Sequence, residues 1–74
     1  MTPRQGQIVL KQIGARIKAA RKVSELSQQA VADAAGINRE YLSRVERGTE
    51  NVSILTLVRV AAALDIPLRN LLCD

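Results

Sequence analysis

Six polar side chains between residues 38 and 47, in the run "NREYLSRVER", share the outer side of one short predicted helix: Asn38, Arg39, Glu40, Ser43, Arg44 and Arg47. Arginine can donate two parallel hydrogen bonds to guanine O6 and N7. A carboxylate can accept from cytosine N4, and amide or hydroxyl groups can contact base edges and phosphates. None of these residues is required for burial, because Leu42 and Val45 supply the apolar side of the same segment. The chemistry expected of this face is recognition by hydrogen bonding.

Bond-making chemistry finds little support. The chain has no histidine to act as a general base, no glycine-rich phosphate loop and no carboxylate pair forced together by the pattern. Without histidine and with a lone Cys73 there is no ligand set for zinc and no internal disulfide, so no cofactor is expected and Cys73 reads as an incidental thiol.

Charge is distributed unevenly. Residues 1 to 22 carry six basic side chains (Arg4, Lys11, Arg16, Lys18, Arg21, Lys22) and no acid, whereas residues 23 to 74 carry five basic and seven acidic ones. A basic first helix is a footprint that attracts phosphate, with Arg16 and Lys18 as candidate contacts. A solvated helix face is the plainer alternative.

The elements that must position these groups are helices. In 74 residues, 47% hydrophobic but with a single aromatic, Tyr41, the chain is expected to form one small all-α domain over 1–74 with a thin core. No strictly alternating run suggests a strand. The longest apolar run, Val60 to Leu64, is too short to cross a bilayer. No signal peptide is evident, and the expected location is cytoplasmic. Thr2, Pro3 and Gln5 suggest a capped first helix with Ile13, Ile17 and Ala20 facing inward, although Gly6 could delay its start. Ser27, Asn38 and Ser53 are candidate caps for the second, third and fourth helices, and Pro67 is expected to open a fifth. Val31 and Ala35 should face Leu42 and Val45 across a turn at Gly36, with the small Ala32 where the two helices cross. Those packing demands define a helix-turn-helix at about residues 27–47.

The segments "RIKAAR" (16 to 21), "LSQQAVADAAGINREYLSRVERG" (26 to 48) and "SILTLVRVAAALDIPLRNLL" (53 to 72) resemble the XRE family, the Cro and phage-repressor type of helix-turn-helix. The resemblance implies a compact five-helix fold of the lambda-repressor type and sequence-specific binding to a double-stranded DNA operator. It also implies an ion pair between Arg21 and Glu46, and base contacts at Arg39 and Glu40, to which the outward face adds Ser43 and Arg44. Gln28 is expected to touch phosphate or to brace the reading helix. Gln29, Asn38, Tyr41, Arg47, Thr49 and Asn51 complete the expected phosphate contacts. An N-terminal stretch lengthens the first helix, and the sequence ends after the fifth, so dimerisation is expected from this domain itself. Such small proteins are similar to the autoregulatory controllers of restriction-modification operons, while antitoxins and small phage or plasmid repressors share the pattern. Activation would add RNA polymerase as a partner.

Residues 54 to 64 carry only Thr56 and Arg59 as polar groups, so one small core should not enclose that helix on every side. The surplus face is expected to be a homodimer contact, with Val60, Leu64, Leu68, Leu71 and Leu72 as candidates. Plainer readings stand beside several assignments: Glu40 and Arg44 are spaced for an intrahelical pair, Gln28 and Gln29 suit a first helical turn, and Tyr41 could plug the core.

Overall fold

The computed structural model describes residues 2–73, folded as α1 Pro3–Val23, α2 Gln28–Ala35, α3 Arg39–Arg47, α4 Ile54–Ala63 and α5 Arg69–Leu72. Each of the first four helices begins at a side-chain cap. The Thr2 hydroxyl accepts from the Gln5 N–H while the Gln5 side chain accepts from the Thr2 N–H, a reciprocal pair that starts α1 ahead of Gly6. Ser27, Asn38 and Ser53 accept from the N–H groups of Ala30, Tyr41 and Thr56. A cap of this kind contributes about 1 kcal/mol by satisfying a donor that the helix leaves unpaired.

Helix ends are set with equal economy. Gly36 closes α2 at φ 72°, and the Ile37 N–H returns to the Ala32 carbonyl. Gly48 closes α3 at φ 75°. The fifth helix departs from expectation: the Pro67 carbonyl accepts from the Asn70 N–H at 3.0 Å, so the proline opens a tight turn and helical pairing begins at Arg69.

The core is one cluster in which Ile17, Val31, Leu42, Val45, Leu57, Val60 and Leu71 are fully enclosed. Burying each such side chain contributes about 1.5 to 3 kcal/mol. α1 packs on α3 and α5, and α2 packs on α3 and α4. Ala32 is buried between the helices of the turn, as its size requires. Gly14 sets how closely α1 approaches α3, since a Cβ there would stand 2.4 Å from the Val45 carbonyl oxygen and 2.5 Å from that of Glu46. A second close approach places the backbone of Lys11 against Gly48.

The candidates for a dimer contact are corrected by this packing. Val60, Leu64 and Leu71 belong to the core, and Leu68 is half-buried against it. Leu72 alone of the five is exposed. The core side of α4 is Leu57, Val60, Ala61 and Leu64, at the i, i+3, i+4, i+7 spacing of one helical face. Its outer side carries Ile54, Leu55 and Val58, which are 61%, 59% and 43% exposed. The segment has a surplus apolar face, but Val60 and Leu64 are not part of it.

Candidate nucleic-acid interface

The orientation of α3 rests on Glu46, a carboxylate whose side chain is only 3% exposed. Arg21, reaching across from α1 and itself 12% exposed, donates from Nε to Glu46 Oε2 at 2.8 Å and from Nη2 to Oε1 at 3.0 Å. Arg21 Nη1 donates to the Leu26 carbonyl at 3.0 Å. Gln28, at the start of α2, donates to Glu46 Oε1 at 3.1 Å. One carboxylate thus ties together the first three helices, and each buried side-chain polar atom among the described residues has a partner. The hydrogen bond to Glu46, with its attraction for the guanidinium, raises the Arg21 pKa above its ordinary value despite burial. This bond lets Gln28 brace α3, one of the two roles expected of it.

With its inner side fixed, α3 turns Arg39, Glu40, Ser43, Arg44 and Arg47 outward around a shallow concavity of about 350 Å³. Arg39, Glu40, Arg44 and Arg47 are exposed and Ser43 is half-buried. Arg47 Nη1 donates to the Ser43 hydroxyl at 2.6 Å, and Arg39 Nη2 lies 3.4 Å from Glu40 Oε1. The spacing of Glu40 and Arg44 had suggested an intrahelical pair, but Arg44 Nε donates instead to Glu50 Oε1 at 2.8 Å, across the turn that follows α3. Glu50 was missed in the sequence because its pairing depends on a loop and follows no helical period.

The remaining candidates lie around this face in two groups. At the end of α3 the Thr49 hydroxyl donates to the Arg44 carbonyl and Asn51 is exposed. Thr49 and Asn51 share a second concavity with Gln7 and Lys11 of α1. At its start the Asn38 oxygen is engaged in capping and Tyr41 is half-buried against the core with the Arg44 guanidinium 5.8 Å from its ring centre, while Gln29, in the first turn of α2, donates to Asp33 at 2.8 Å. Along α1 the exposed cations Arg4, Lys11 and Lys18 recur every seven residues and Lys22 follows on the same flank. Arg16 is half-buried and projects about 160° from Lys18 around the helix. The two α1 cations singled out in the sequence therefore lie on different flanks. Lys11, a member of the stripe, was not singled out.

Among the described residues no helix is long and apolar enough to cross a membrane, and no cluster of acidic or cysteine side chains could hold a metal ion.

Comparison with known proteins places these features in a family. Over 54 residues the chain is 46% identical to the immunity repressor protein of Bacillus phage phi105, covering 73% of this chain but only 38% of the repressor. The crystal structure of the restriction-modification controller protein C.AhdI from Aeromonas hydrophila superposes with a TM-score of 0.82 at 40% identity, covering 84% of this chain and 94% of that one. The biofilm master regulator SinR, in a crystal structure with DNA, superposes with a TM-score of 0.77 at 42% identity, covering 82% of this chain and 98% of that one. The helix-turn-helix family (HTH_3) matches residues 17–71, which take in the bracing pair, the turn and the outward face of α3, and the chain belongs to that XRE-type family.

Proposed function

We propose that this chain is a sequence-specific DNA-binding transcriptional regulator that acts by binding, as a homodimer in the cytoplasm, and controls a restriction-modification operon that includes its own gene. The observation that carries the reading is the outward face of α3. Four exposed charged side chains and Ser43 surround one concavity there, none of them is used by the core, and the helix beneath them is held by a buried ion pair. In this reading α3 enters the major groove, where Arg39 and Arg44 meet guanine, Glu40 meets cytosine and Ser43 adds a hydroxyl. Thr49, Asn51, Arg47 and Lys11 lie on phosphates around the end of α3, where the start of α2 with Gln29 also lies because Gln28 reaches Glu46, and the Lys18 flank of α1 adds further phosphate contacts.

The likeness to C.AhdI at 40% identity over nearly all of that chain supports a controller, and the DNA held by SinR supports the partner. The phi105 immunity repressor favours a second reading, a phage-type repressor using the same interface. A footprint on DNA upstream of the gene tests the first reading. A protected site of two half-sites about one helical turn, roughly 34 Å, apart is expected. Methyltransferase and endonuclease genes next to it would favour the controller, and phage genes the repressor. No protection at micromolar protein would overturn autoregulation. RNA polymerase enters as a partner only if a promoter fusion is activated by the protein.

A further inference from the structure

Arg44 is held from outside its own helix. Its Nε donates to Glu50 Oε1 at 2.8 Å, and the guanidinium lies over the Tyr41 ring at 5.8 Å from the centroid. Glu50 is brought there by the backbone. Gly48 turns the chain at φ 75° with its Cα packed on Lys11, and the Thr49 N–H and hydroxyl both donate to the Arg44 carbonyl, at 3.1 and 3.2 Å. The residue that follows is thereby placed beside the arginine side chain. The carboxylate engages Nε, which leaves the fork of Nη1 and Nη2 as the donors remaining at the tip. That fork matches the two acceptors of guanine.

We infer that Glu50 is a specificity-determining residue that acts by positioning Arg44. An unrestrained arginine must give up rotamer freedom on binding, and it satisfies a phosphate as readily as a base. Pinned at Nε, the fork is ordered before DNA arrives. The negative charge of Glu50 also disfavours arrangements that bring this part of the loop against the backbone without a base contact in return. An ion pair this exposed contributes little to stability, so its consequence belongs to DNA binding. The inference rests on Arg44 reading a base, as proposed above.

The test uses the whole chain and two duplexes: the one enriched by wild-type protein from a randomised library, and a scrambled duplex of equal length and composition. Affinities are measured by fluorescence anisotropy at several salt concentrations for wild type, Glu50→Gln, Glu50→Asp and Arg44→Ala. Glu50→Gln is expected to bind scrambled DNA about three- to tenfold more tightly with a steeper salt dependence, and its ratio of specific to nonspecific affinity should fall about tenfold. Glu50→Asp, which keeps the charge but is too short to hold Nε, should lower the ratio without the gain on scrambled DNA. Thermal midpoints should stay close to wild type. Unchanged ratios in both Glu50 variants, with the ratio lost in Arg44→Ala, would overturn the role of Glu50 alone. If Arg44→Ala keeps the wild-type ratio, the base contact and the inference fall together.

Discussion

Glu46 carries the largest consequence of any single side chain, because its charge is enclosed and satisfied by Arg21 and Gln28. Arg21→Ala strands that carboxylate, at an expected cost of about 3 to 5 kcal/mol, measured as a lower urea midpoint with an unchanged m value. Gln28→Ala removes one hydrogen bond and should cost about 1 kcal/mol in the same titration. Because the folded chain binds the Arg21 proton more tightly than the unfolded chain does, this group's contribution is complete below the ordinary arginine pKa and fades only as pH rises through the raised value. The pair was implied by the family resemblance, whereas Arg39, Glu40, Ser43 and Arg44, the residues proposed to read bases, stood out as polar groups with no burial to explain them. The Arg44 to Glu50 contact was not legible, since it depends on how the chain leaves α3 at Gly48.

Helices and caps were readable as elements because each start has its own chemistry: Thr2 with Gln5, Ser27, Asn38 and Ser53 cap the helices they were expected to cap. What local pattern does not encode is contact between elements. Gly14 looks like a weak position within a helix, yet it is where the backbones of α1 and α3 meet. Gly14→Ala should therefore cost about 1 to 3 kcal/mol through overpacking, read from the thermal midpoint. Gly36→Ala meets no neighbour and should cost about 1 to 2 kcal/mol for its left-handed backbone alone. The faces of α4 were illegible for a related reason. A helix apolar nearly all round has no polar stripe to fix its phase, so sequence could show a surplus face without showing which residues form it.

For the molecule as a whole, that surplus face is Ile54, Leu55 and Val58, with Leu72 as the exposed leucine of α5. We propose that it joins two copies across a two-fold axis, the arrangement that would present two copies of α3 to successive turns of DNA. Leu55→Lys is expected to yield a folded monomer by sedimentation at micromolar protein while the wild type sediments as a dimer. A wild-type monomer off DNA would remove the stable dimer. We propose that the exposed stripe Arg4, Lys11, Lys18 and Lys22 adds long-range attraction for phosphate. A dimer making on the order of 6 to 10 phosphate contacts should lose about 10³ to 10⁵ in affinity between 50 and 200 mM salt, and binding flat with salt would contradict the electrostatic part of the account.

We propose that α3 reads bases with Arg39 and Arg44. Selection from a randomised duplex library at fixed salt, with wild type, Arg39→Ala and Arg44→Ala in parallel, tests it most directly. The wild-type consensus should contain at least one essential G·C pair in each half-site, and each variant should relax a single position by about 1 to 3 kcal/mol while holding the others. If both variants return the full wild-type consensus, the outward face of α3 is a solvated surface and base recognition lies elsewhere.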